Sequence, residues 1–184
     1  MKQLNQATKV VAKVLEIVHW VGAALMIAVA VCSAAAPQWL GRLMDIDDLG
    51  AQAEISTYGF GVTLTNSTGR INMTTLLLFS IGAVIIFILM AMVFRNINLI
   101  MKKSENATPF QKDNVRMVRE IGIFSIAIPV VGLIMSTIMR LPVGVDATEV
   151  SVNLSGLITG IVVLCLSQVF AHGVALEQDV DGLL

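Results

Sequence analysis

Charged side chains are scarce in this sequence. They make up 14% of the chain, against about 25% in ordinary soluble domains, which argues against a water-facing surface on every side. Whole stretches carry no Asp, Glu, Lys or Arg, including Met73 to Phe94 and Ile121 to Met139. Cysteine is nearly absent too. Cys32 and Cys165 fall at depths about 10 Å apart along their segments, at about 1.5 Å rise per residue, so they do not form a disulfide and read as small apolar residues. No Cys/His spacing suits zinc. There is no glycine loop with lysine for phosphate, no His-Glu metalloprotease pair, no nucleophile elbow and no pair of intramembrane aspartates. The expectation is a protein that is not an enzyme and needs neither a cofactor nor a metal. With a formal net charge of -1, the chain also lacks the basic field that direct nucleic-acid binding requires.

What is present is hydrophobic length: 56% of residues are apolar. Four segments stand out, about Val14 to Ala36, Met73 to Phe94, Ile121 to Met139 and Leu154 to Phe170. Each reaches or approaches the ~20 residues that cross a hydrocarbon core. None alternates with period two along its length, and lipid then leaves helices as the spanning structure. The expected fold is an all-α membrane protein of four transmembrane helices, about 10–36, 73–100, 110–140 and 154–178, forming one four-helix domain over 1–184. The first segment competes with a signal peptide. However, Pro37 would follow the cut after Ala34-Ala35-Ala36, and the apolar run exceeds the 7–15 residues of a signal core. It is read as a membrane helix.

An even number of spans puts both ends on one side. Lys2, Lys9, Lys13, Arg95, Lys102, Lys103, Lys112, Arg116 and Arg119 flank one side, whereas Arg42, Arg70 and Arg140 flank the other. By the positive-inside rule both termini are cytoplasmic, with the lipid bilayer as the first partner.

The outer loop 37–72 exceeds a simple helix connection. Trp39-Leu40 and Leu43-Met44 suit an interfacial helix anchored by Trp39, broken by Asp45, Asp47 and Asp48, which lack the distal glutamate of a calcium loop. A β-rich cap is expected beyond it: a hairpin about 55–72, with Asn66-Ser67-Thr68-Gly69 as turn signal, and a third strand about 149–154 or, equally, an irregular connection. On the inner side, Thr108 and Pro109 are the expected N-cap and first residue of the third helix. Pro129, midway along it, removes a backbone hydrogen bond.

The ionisable residues near the inner membrane face give a candidate polar site of Glu16, His19, Gln168 and His172, weighed against snorkelling and local pairing. Gly156 and Gly160 carry the small-xxx-small spacing of close helix approach. Packing within the chain is its first reading, a homo-oligomer interface the second.

Two cytoplasmic stretches carry a resemblance. Thr108-Pro109-Phe110, Asn114, and Val118-Arg119-Glu120-Ile121-Gly122 resemble the "PF…N…LR.IG" stretch of the bacterial membrane family DUF2975. The ending from Phe170 through Gly173, Leu176, Asp179 and Asp181 to Leu184 looks like that family's "F..G..L..D.D.L" pattern. The long first outer loop departs from it. Members are often encoded beside small helix-turn-helix regulators, so the resemblance implies a non-enzymatic, regulatory protein that binds or restrains such a regulator. It places the contact at Pro109, Phe110, Asn114, Arg116, Arg119, His172, Gly173, Leu176, Asp179 and Asp181. The tail carboxylates can instead pair with Arg116 and Arg119. Two alternatives stay open: a small-molecule or lipid-binding, transport-related protein using the polar pocket, and an envelope sensor whose outer cap receives a signal.

Overall fold

A computed structural model describes residues 2–44, 54–65, 71–104, 111–143 and 154–181. In chain order these form α1 (Lys2–Ala35), α2 (Pro37–Met44), β1 (Glu54–Thr57), β2 (Phe60–Thr63), α3 (Met73–Lys103), α4 (Lys112–Val143) and α5 (Leu154–Asp181). Four of these helices, α1, α3, α4 and α5, are long and apolar enough to cross a membrane. Even the shortest, α5 with 28 residues, is about 42 Å long at ~1.5 Å per residue, longer than a hydrocarbon core of about 30 Å.

Burial along α1 is reversed from that of a soluble protein. Among its described side chains the buried ones are Ala12, Glu16, His19, Ala23 and Ser33, the first four recurring every three or four positions as one helical stripe. From Val14 to Val31 its exposed side chains are aliphatic apart from Trp20. Polar groups turned inward beneath an aliphatic surface suit a solvent that is itself hydrocarbon. α1 begins at Lys2, earlier than the apolar run, because Lys and Gln are good helix formers outside lipid as well.

Local chemistry sets the helix ends. Pro37 has no N–H and disfavours helical geometry at the residue before it, and Ala36 is the one non-helical residue between α1 and α2. Asn72 caps α3: its Oδ1 accepts from the backbone N–H of Thr74 at 3.0 Å and of Thr75 at 3.3 Å, satisfying two orphan donors. Lys102 and Lys103 close α3, where cations meet the negative helix end. α4 starts later than Pro109 suggested. Gln111 is non-helical and its carbonyl accepts the first bond, from Val115 N–H at 3.1 Å; Thr108 and Pro109 lie outside the described residues.

The hairpin pairs β1 with β2 antiparallel, Glu54 opposite Thr63 and Thr57 opposite Phe60. Its turn is Tyr58-Gly59, with φ of 49° and 85°, the two positive values of the primed turn that matches strand twist. An isolated bridge, Thr65 to Ile71, extends the pairing around the expected 66–69 turn, which lies outside the described residues. The expected third strand, 149–154, also lies outside them except for Leu154, which is already helical.

The chain divides into two compact units. One comprises Trp20–Ile88 and Ile128–Asn153. Its core is built around β2, whose alternate residues Phe60 and Val62, continued by Leu64, are buried with Leu76, Phe79, Ile86 and Met139. Phe60 is 0% exposed and stacks on Phe79 with ring centroids 5.0 Å apart. Gly82 makes room for it, since a Cβ there would sit 2.8 Å from the Phe60 ring. In this unit α2 packs through Leu40, which is buried, and Gly41, where a Cβ would lie 3.3 Å from Met73 Cε. Trp39 and Leu43 stay exposed.

The other unit comprises Met1–His19, Leu89–Ala127 and Leu154–Leu184. There α5 meets α4 where Gly160 faces Gly122. A Cβ on Gly160 would stand 2.9 Å from the Gly122 carbonyl oxygen and 2.5 Å from Ile126 Cγ1. Among the described side chains of α5 the buried residues are Gly160, Ser167 and Val174, a heptad apart, so this part of the helix is held along a single narrow seam.

Candidate functional site

The start of α4 and the end of α5 enclose a groove of about 240 Å³ lined by Lys112, Val115, Ala171, Val174, Ala175 and Gln178. Small side chains create it. Ala171 and Ala175 are one helical turn apart on α5, and neither fills the space that a longer residue would occupy opposite Val115. The floor is aliphatic, and the polar rim is one ammonium and one amide. Such a set can seat an apolar side chain and hydrogen-bond a carboxylate or a backbone carbonyl beside it.

Beside the groove, α3 and α4 are tied by polar contacts. Asn96 Nδ2 donates to Glu120 Oε2 at 3.0 Å, and Glu120 Oε1 also meets Arg116 Nε at 3.4 Å. Lys103 Nζ pairs with Asp113 Oδ2 at 2.6 Å. Asn96, Asn98 and Asn114 are all buried. Hydrogen bonds between helices fix their spacing in a setting where exposing such groups to lipid is costly, so this network gives the groove a firm α4 wall.

The residues singled out by resemblance divide. Pro109 and Phe110 lie outside the described residues. Arg116, Arg119, His172, Leu176 and Asp179 are exposed and flank the groove's lining on α4 and α5, Gly173 is half-buried, and Asp181 closes α5. Asn114 presents no surface to a partner: it is 1% exposed, because it shares the buried face of α4 with Met117, three residues on. Arg116 closes on Glu120 of its own helix.

The intramembrane candidates also separate. Glu16 and His19 are buried at 8% and 5% exposure. Lys13 Nζ reaches Glu16 Oε2 at 3.1 Å, and His19 Nδ1 lies 2.7 Å from the Leu15 carbonyl oxygen, which requires the Nδ1–H tautomer as donor. The His19 ring sits 5.1 Å from that of Phe94. Gln168 and His172, by contrast, are exposed on α5, so the four do not line one inward-facing pocket. Among the described residues no three His, Cys, Asp or Glu side chains gather as metal ligands would.

Sequence reading missed Asn96, Asn98 and Glu120, and the groove-forming Ala171, Ala175 and Gln178. A signal for the first group was available: two asparagines close behind a long uncharged run, opposite a glutamate that opens the next one. Alanines announce no groove until their neighbours are known.

No family model, curated protein or solved structure matches the chain. The resemblance to DUF2975 therefore rests on its two quoted stretches.

Proposed function

We propose that this chain is a regulatory protein of the bacterial inner membrane, with both ends in the cytoplasm, that binds and restrains a small cytosolic helix-turn-helix regulator. The membrane part follows from four helices long and apolar enough to span. The orientation follows from the basic residues flanking one side of those spans. The regulator is the class of partner that the DUF2975 resemblance implies. The observation that carries the reading is the groove between α4 and α5, which lies between the same two stretches that carry the resemblance.

The groove is small, so its occupant is a single anchoring side chain with its neighbours rather than a whole domain. An aliphatic or aromatic anchor, buried in a pocket and ringed by polar contacts, is how most interface energy is concentrated. Exposed Arg116, Arg119 and Asp179 would then form a rim that steers and orients the partner more than it holds it. The chain acts by sequestration, without catalysis. A photo-crosslinking amino acid at Gln178 in the native host tests this. Capture of a helix-turn-helix protein in the wild-type background, and its loss when Ala175→Arg fills the groove, is the expected result.

A further inference from the structure

We propose that the adjoining ends of α3 and α4 bind an anionic phospholipid, its phosphate clasped between Arg95 and Arg119. Two facing pairs align these ends: Asn96 with Glu120 at 3.0 Å and Lys103 with Asp113 at 2.6 Å. Seven residues onward along α3 is seven residues back along α4, so the helices run antiparallel and the two pairs lie two turns apart on one seam. A cation immediately precedes each member of each pair: Arg95 and Arg119 at the first, Lys102 and Lys112 at the second. One residue turns a helix by about 100°. On two antiparallel helices that step, taken backwards from a facing pair, leads to the same side of the seam. Arg95, Lys102, Lys112 and Arg119 therefore gather on one side of the α3–α4 pair, and all four are exposed.

None of the four makes an ion pair with a described residue. The acids of α3 and α4 are Asp113 and Glu120, and both are engaged at the seam, Asp113 by Lys103 and Glu120 by Asn96 and Arg116. Anchoring by the positive-inside rule asks only that cations lie at one end of the spans; it requires neither a single side of a helix pair nor carboxylates turned away from it. Depth identifies the anion. The uncharged run of α4 from Ile121 to Met139 is about 28 Å long at ~1.5 Å per residue, which matches a hydrocarbon core of about 30 Å. Arg119, and Arg95 level with it, thus stand at the rim of that core, with Lys102 and Lys112 about 10 Å farther out. The headgroup layer, roughly 5–8 Å deep on each face of a bilayer, falls between the two tiers. Guanidinium forks match phosphate oxygens, and the ammonium of a zwitterionic headgroup would meet four uncompensated cations. This inference needs only that α3 and α4 span a membrane, and is independent of the proposed regulator.

Full-length protein, stripped of lipid in detergent, is titrated with phosphatidylglycerol or with phosphatidylcholine of the same acyl chains, and bound lipid is counted by native mass spectrometry. Phosphatidylglycerol should bind the more tightly. Arg95→Gln and Arg119→Gln should each raise its apparent Kd about fivefold, whereas Arg42→Gln, an equal loss of charge on exposed α2, should leave it unchanged. Arg95→Lys with Arg119→Lys keeps the charge without the fork, and should fall between wild type and the paired Gln variant. Inorganic phosphate at matched ionic strength should not displace the lipid. Equal affinity for the two lipids, a loss with Arg42→Gln as large as with Arg95→Gln, or displacement by inorganic phosphate would overturn the inference.

Discussion

Truncating Phe60 should loosen the unit that contains the hairpin. The ring is fully buried, stacks on Phe79 at 5.0 Å with an interplanar angle of 15°, and fills the space that Gly82 leaves open. Phe60→Ala removes the buried ring and leaves a cavity between rigid helices, a loss of about 3–5 kcal/mol, of which ring stacking supplies about 0.5–1.5 kcal/mol. For a chain of this size that corresponds to a fall in Tm of roughly 6–20 °C. Thermal unfolding in detergent micelles, followed by near-ultraviolet circular dichroism, measures it. A companion substitution isolates the contact. In the wild type, Gly82→Ala places a Cβ 2.8 Å from the Phe60 ring and 3.1 Å from Met135 Cγ, overpacking worth about 1–3 kcal/mol. With Phe60→Ala already present the ring is gone, and most of that penalty should vanish, giving a coupling of at least about 1 kcal/mol in the double-mutant cycle. A Phe60→Ala protein that melts within a degree or two of wild type, or a Gly82→Ala penalty that is the same in both backgrounds, would refute the insertion of the hairpin between α3 and α4.

Three further expectations concern other parts of the chain. Gly160→Ala should cost about 1–3 kcal/mol, since its Cβ would meet the Gly122 carbonyl and the Ile126 backbone nitrogen at 2.9 and 3.0 Å; a melting curve unchanged from wild type would contradict the close α4–α5 crossing. With Trp20→Phe leaving Trp39 as the only tryptophan, its emission should be quenched by lipids labelled near the headgroup and shielded from aqueous iodide, because Trp39 and Leu43 project one helical turn apart from the packed side of α2; strong iodide quenching without lipid quenching would remove α2 from the interface. With Cys32→Ser and Cys165→Ser in place, Glu54→Cys should react with an impermeant maleimide from the periplasmic side of intact spheroplasts and Glu177→Cys only after lysis; the reverse pattern would invert the topology.

Spanning helices are legible in sequence because a hydrocarbon solvent imposes length and composition directly. The start of α3 at Met73 is equally readable, since Asn72 is a strong cap just ahead of an apolar run. The hairpin shows the boundary of such reading. β-forming residues announce strands near Ile55 to Leu64, yet the turn falls at Tyr58-Gly59, a pair less conspicuous than Asn66-Ser67-Thr68-Gly69. Nothing local reveals that Phe60 is inserted beside Gly82, because that depends on partners distant in sequence. The polar candidates fail for a similar reason. Glu16 and Gln168 can share a depth in the membrane and still face in different directions, and the rotation of α5 is set by Gly160 against Gly122 rather than by the polarity of its other faces. Asn114 was a candidate contact residue by resemblance, but its position one turn before Met117 on the buried side of α4 makes it a packing residue.

The proposal that the groove of α4 and α5 holds a cytosolic regulator is tested most directly by site-specific photo-crosslinking from Gln178 in living cells. The account predicts one dominant protein adduct, a small helix-turn-helix protein by mass spectrometry, that disappears with Ala175→Arg while the protein's membrane level and melting temperature remain unchanged. Adducts to lipid alone, or a protein adduct indifferent to Ala175→Arg, would contradict it.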